Sequence, residues 1–94
     1  MHARLSTYRG QADELSKGFE AQTGALEQLD GFKAAYFGAS DSGKAFSLTL
    51  WESEEALEAS AERANQMRTS VAQPSGAEIE SVDHFEITTT AGNA

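Results

Sequence analysis

The sequence predicts an α+β sandwich, four antiparallel strands with two helices on one face. Three observations predict it. Apolar residues recur at helical spacing in two stretches, 15–29 and 57–71, and short strand-favouring runs flank each stretch. Turn residues mark the joints: Gly10, Asp30-Gly31, Asp41-Ser42-Gly43 and Pro74-Ser75-Gly76. The resulting order is strand, helix, strand, strand, helix, strand. Two right-handed crossovers around a hairpin make this the ferredoxin-like βαββαβ sandwich. It occupies residues 1–94 as a single domain, with a tail from about residue 89.

Each element has a local cause. Residues 3–9, ARLSTYR, favour a strand, and Gly10 ends it. From Gln11, Leu15, Phe19, Gln22, Leu26 and Leu29 form one helical stripe, and Asp13 and Glu14 suit its positive N-terminal end. Gly31 closes that helix, and FKAAYFGA, 32–39, is the second strand. AFSLTLW, 45–51, is the third. Ser53 caps a second helix whose first turn carries Glu54 and Glu55, and whose inner stripe is Leu57, Ala61, Ala64, Met67 or Arg68, and Val71. Pro74-Ser75-Gly76 breaks the chain before a last strand over about 78–88.

A two-residue Ser42-Gly43 loop would pair Ala35 with Leu50, Phe37 with Leu48 and Ala39 with Phe46. That register predicts two faces. One, with Leu5, Phe85 and Ile87 added, is an apolar layer for the helices. The other carries Ala34, Tyr36, Gly38, Ser47, Thr49 and Trp51 beside Ser6, Tyr8 and His84. Its aromatic groups with polar ends call for a cover, for which a second sheet from another copy of the chain is the natural candidate. Arg4 and Glu86 are expected to pair across strands on this face.

Composition excludes several functions. Seven Lys and Arg against fifteen Asp and Glu give a net charge of −8, and the basic residues are scattered, which argues against nucleic acid. No run approaches the roughly 20 apolar residues of a membrane span, and MHARLSTYR has no apolar signal region. The chain reads as cytoplasmic. With zero cysteines there is no disulfide, thiolate nucleophile or cysteine-based metal site. The glycines build no phosphate-binding loop, and no G-x-S-x-G elbow is present. Glu54, Glu58 and Glu62 form a solvated helix face without a His or Asp to complete a metal site.

The run LDGFKAAYFGASDSGKAFSLTLWESEEALEAS, residues 29–60, resembles the antibiotic biosynthesis monooxygenases of the dimeric α+β barrel superfamily. The likeness is most specific in Leu50-Trp51-Glu52-Ser53 with Glu55, Ala56 and Leu57. The resemblance implies a homodimer with sheets packed face to face, and either oxygenation of electron-rich aromatic polyketides without a cofactor or haem degradation. Haem-degrading members carry an Asn on the first strand and a Trp and a His on the second helix, all missing at the matching places here. The oxygenase branch combines Asn, Trp, Tyr and Arg groups around a substrate oxyanion.

On that basis the catalytic candidates are Trp51, Tyr36 and His84, and the ligand-binding candidates are Tyr8, Arg4 and Asn65, with no cofactor and no metal. Each has a plainer reading. Trp51 can simply pack the strand–helix joint, Tyr8 and Tyr36 suit strands by propensity, and His84 can be a hydrogen-bonded interface residue. His2, near the chain start, is a weaker candidate. The expected function is a cofactor-independent monooxygenase acting on a small aromatic substrate. The alternative is a non-catalytic dimeric barrel that binds a small apolar ligand or serves as an interaction module.

Overall fold

The computed structural model describes residues 1–92. Its elements are β1 (His2–Arg9), α1 (Ala12–Glu27), β2 (Phe32–Ala39), β3 (Lys44–Trp51), α2 (Glu54–Ala59), α3 (Ala61–Ser75) and β4 (Glu78–Glu86). The strands form one antiparallel sheet in the order β2-β3-β1-β4. This is the ferredoxin-like α+β arrangement that the element order predicts.

The helices dock through the expected stripes. Leu15, Phe19 and Leu26 of α1 are buried, as are Leu57 of α2 and Ala64, Met67 and Val71 of α3, while Ala61 is exposed. Phe19 stacks on Phe37 at 4.9 Å between centroids and meets Tyr8 edge-on at 5.2 Å. Tyr8, Leu15, Phe19, Ala45 and Val71 make up the central cluster. Such aromatic contacts add about 0.5–1.5 kcal/mol each beyond area burial.

The second helix is divided. Ser60 sits at the division, where its hydroxyl donates to the Leu57 carbonyl at 2.7 Å and Arg4 Nη2 donates to the same carbonyl at 2.7 Å. Side-chain donors thus take a carbonyl that would otherwise serve the next helical turn, and α2 and α3 meet at an elbow. Ser53 caps α2 as expected, its Oγ accepting from the Ala56 N–H at 3.1 Å. Pro74 does not break the chain. It lies in the last turn of α3, which ends at Gly76, where the Ala77 N–H reaches back to the Ala72 carbonyl at 3.0 Å.

The register of the hairpin differs from the expectation and inverts three strands. Ala39 pairs with Ala45, Gly38 with Phe46, Tyr36 with Leu48 and Ala34 with Leu50. Ser40 N–H donates to the Lys44 carbonyl at 2.8 Å, enclosing a three-residue loop, Asp41-Ser42-Gly43, with Gly43 at φ 86°. One residue more in the loop slips the register by one and sends every β3 side chain to the opposite face. Ala35 and Phe37 face the helices and Ala34, Tyr36 and Gly38 face outward, as expected. By contrast, Ser47, Thr49 and Trp51 turn inward, and β1 follows with Ser6 and Tyr8. His84 pairs with Arg4, so the Arg4–Glu86 pairing is replaced: Glu86 lies opposite His2.

Leu5, Phe46, Leu48, Leu50 and Phe85, expected beneath the helices, therefore line the open face. Its rows are Phe85–Ala3–Leu50–Ala34, Asp83–Leu5–Leu48–Tyr36 and Ser81–Thr7–Phe46–Gly38. Phe85, Tyr36 and Phe46 are 50%, 42% and 39% exposed, more solvent contact than a finished surface usually gives such side chains.

Gly31 turns the chain from α1 into β2 at φ 78°, and a methyl group there would overlap the Ala56 side chain. Gly31→Ala is expected to cost about 2 kcal/mol in urea unfolding, from the left-handed backbone and the overpacking together. An unchanged midpoint would show that the turn and α2 relax freely.

Candidate functional site

Inverting the sheet places hydroxyl groups and a cation beneath the helices, where they border a small cavity. From β1 come Arg4, Ser6 and Tyr8; from β2, Phe37; from β3, Ser47 and Thr49. The roof is Gln22 and Leu26 of α1 with Ala64, Met67, Arg68 and Val71 of α3. The volume is about 40 Å³, room for a few water molecules. Its accessible wall is mostly carbon, because most polar atoms around it already have partners. A wider hollow of about 650 Å³ lies at the hairpin end, around Ala39, Lys44 and Phe46. The smaller cavity is the better candidate because it holds the buried charge of Arg4.

Arg4 is 2% exposed and bonded on three sides. Its Nε donates to His84 Nε2 at 3.3 Å, Nη1 to Ser60 Oγ at 3.2 Å and Nη2 to the Leu57 carbonyl. Its guanidinium carbon lies 5.9 Å from the centre of the Trp51 ring, a cation–π distance. Burial lowers its pKa to about 10, and the positive charge of Arg68 adds to the shift. Both arginines are charged at neutral pH. Arg68 is itself lowered, chiefly by burial. No carboxylate lines the cavity, and among the described residues the ion pair found is Arg9–Glu80, on the surface at 3.1 Å.

Tyr8 is 1% exposed, its hydroxyl 3.1 Å from Ser47 Oγ. Burial raises its pKa, partly offset by the Ser47 hydrogen bond and the Arg68 charge. At neutral pH the phenol keeps its proton and can donate it in a hydrogen bond. Trp51 is fully buried beside the cavity without lining it. Its Nε1 donates to Thr49 Oγ1 at 3.0 Å, and its ring meets Phe32 edge-on at 5.6 Å.

The six candidates thus separate. Arg4 and Tyr8 line the cavity, Trp51 packs beside Arg4, and His84 reaches Arg4 from the exposed edge strand. Tyr36 is on the open face and Asn65 on the exposed side of α3, and neither is among the cavity's lining residues. Ser6, Ser47, Thr49, Gln22 and Arg68 are lining residues that sequence reasoning did not select. Gln22, a polar residue within an apolar stripe, and Arg68, alternating with Met67 at the end of the other, carried the signal. Among the described residues no three His, Asp or Glu side chains gather as a metal site requires, and no helix is long and apolar enough to cross a membrane.

The sequence matches the family described as antibiotic biosynthesis monooxygenase over residues 1–72. No curated protein matches it. Among solved structures, a Deinococcus radiodurans protein assigned to the same monooxygenases superposes with a TM-score of 0.75 at 12% identity, covering 100% of this chain and 99% of that one. SnoaB of Streptomyces nogalater, a cofactor-independent oxygenase, gives a TM-score of 0.75 at 11% identity over 98% and 97%. MhuD of Mycobacterium tuberculosis, a haem-degrading protein seen with two haems in its active site, gives 0.71 at 26% identity over 98% and 100%.

A buried phenol held in its neutral form makes stability depend on pH in one direction. Its folded pKa lies above the unfolded value, so its contribution is complete below about pH 10 and is lost as pH rises further. Urea unfolding between pH 9 and 11 is expected to show a steeper alkaline loss for the unaltered chain than for Tyr8→Phe. Equal slopes would mean that folding leaves this phenol unperturbed.

Proposed function

Because the chain belongs to the antibiotic biosynthesis monooxygenase family, we propose that it is a cofactor-independent monooxygenase that binds a small, planar, electron-rich aromatic molecule between sheet and helices. The observation that carries this reading is a mostly carbon-walled cavity between sheet and helices that holds the buried Tyr8 phenol and the buried Arg4 cation in its wall. A carbon wall suits an aromatic ring, and a buried donor suits the oxygen on which charge develops.

The chemistry asks little of the protein. A hydroquinone or anthrone that has lost a proton passes an electron to dioxygen, and the two radicals combine into a peroxide at carbon. Loss of water then leaves a carbonyl, with one oxygen atom in the product and one in water. A guanidinium beside the phenolic oxygen lowers the substrate's own pKa. Arg4 supplies that charge from within the cavity wall, its donors being held by His84, Ser60 and the Leu57 carbonyl, while Tyr8, accepting from Ser47, donates a hydrogen bond to the phenolic oxygen. The lining residues include no carboxylate or imidazole, so the proton leaves through solvent. Trp51 and His84 act as positioning residues, one packed against Arg4 and the other bonded to it.

Haem does not fit this donor set. No histidine or cysteine lines the cavity.

The second reading, a dimeric barrel that binds a ligand without chemistry, is favoured by one observation, that no carboxylate or imidazole lines the cavity to take a proton. Both readings require the cavity of about 40 Å³ to widen, since ligand pockets commonly run to about 300–1,000 Å³. Oxygen uptake separates the two readings. With a panel of hydroquinones in air, uptake without added flavin, haem or metal is expected, and Tyr8→Phe should slow it about 10- to 100-fold. Saturable binding without uptake would favour the binder.

The open sheet face supports a homodimer packed sheet to sheet, since Leu5, Leu48 and Leu50 with the exposed rings of Tyr36, Phe46 and Phe85 form a continuous apolar patch. Light scattering at micromolar concentration should give about twice the chain mass of 10.0 kDa, and Leu48→Lys, at the centre of the patch, should give the single mass. A monomeric unaltered chain would refute the sheet-to-sheet pairing.

A further inference from the structure

Arg68 has no part in the reaction described above, yet it stands at the cavity as a charge without a partner. It is half-buried on α3, lines the cavity, and makes no hydrogen bond or ion pair among the described residues. Arg4 and Arg68 are close enough for their like charges to interact, an unfavourable arrangement unless an anion lies near them. In a chain of net charge −8, with fifteen acidic side chains available to neutralise Arg68, none lines the space that it faces. The two arginines are not equivalent. Arg4 is spent on His84, Ser60 and the Leu57 carbonyl, whereas Arg68 keeps its donors for something that enters.

We propose that Arg68 is a specificity-determining residue that binds a carboxylate carried by the aromatic ligand. The inference rests on the cavity being a ligand site. A carboxylate is the group for this position because it is ionised at neutral pH without help. The fork of a guanidinium matches the two carboxylate oxygens. The ligand then lies with its ring on the carbon wall, its phenolic end toward Tyr8, and its acid group at Arg68.

Calorimetric titration of the whole chain at low salt with 2-naphthoate and with its uncharged counterpart 2-naphthalenemethanol tests the assignment. The naphthoate is expected to bind about tenfold more tightly. Arg68→Gln should erase most of that preference, and Arg68→Lys should keep part of it; circular dichroism checks that each variant folds. Equal binding of the two probes, a preference that survives Arg68→Gln, or binding of neither would overturn the proposal. The outcomes for the enzyme reading are separate. Oxygen uptake with carboxylate-free hydroquinones would leave the oxygenase standing if the anion site failed, and a clear naphthoate preference without uptake by any hydroquinone would do the reverse.

Discussion

The three residues between Ser40 and Lys44 decide which side chains of β3 meet the helices. With Gly43 in the left-handed region and the Ser40 N–H bonded to the Lys44 carbonyl, Phe37 stands beside Ser47, and Tyr36 beside Leu48. Once Phe37 is stacked on Phe19, every odd residue of β3 points inward and every even residue outward. The antiparallel pairing with β1 carries the same parity onward, so Ser6 and Tyr8 go beneath the helices and Leu5 does not. The large aliphatic groups of KAFSLTLW are thereby left for a second surface to cover, while small hydroxyl side chains are brought inside. A cavity with polar edges under the helices and an apolar sheet face on the other side are two results of one turn.

A charged group in such an interior needs compensation, because removing an arginine from water costs several kcal/mol. Arg4 obtains it from three acceptors and the face of Trp51. Those acceptors come from different parts of the chain, namely the edge strand β4 and the elbow between α2 and α3. Arg4 therefore ties the two ends of the sheet-and-helix layer together, and the tie explains the elbow. The Leu57 carbonyl accepts two side-chain donors there, and Ser60 serves as both donor and acceptor. The lone tryptophan at the strand–helix joint belongs to this arrangement: it is the surface on which the Arg4 cation rests.

How much of this was legible follows from what kind of signal each feature leaves. Element order, the stripes of α1 and α3, and the Ser53 cap rest on local chemistry, and local chemistry is visible in sequence. The faces of β1 and β3 rest on one residue of loop length, which Asp-Ser-Gly leaves ambiguous between a two- and a three-residue turn. The larger apolar set of a strand marks the helix side only where one face of the sheet is covered, and here the open face carries Leu5, Leu48 and Leu50. The elbow left almost no trace, because Ser60 breaks the helix only in company with Arg4, 56 residues earlier. Arg4 and Tyr8 were selectable by type and do line the cavity, while Tyr36 and Asn65, selected the same way, do not. Residue type names a chemistry, but parity and helix phase decide whether the side chain reaches it.

The size of the cavity constrains how any ring could enter. The floor is fixed by the hydrogen-bonded sheet and by Arg4 and Tyr8, each held by hydrogen bonds to its neighbours. Room must therefore come from the roof, and there the lining consists of Gln22, Met67 and Arg68 among smaller residues. These are long, unbranched side chains with several rotamers each, so they can yield space without moving a helix. Swinging Arg68 aside also moves its charge relative to Arg4 and weakens a like-charge contact, which offsets part of the cost of opening.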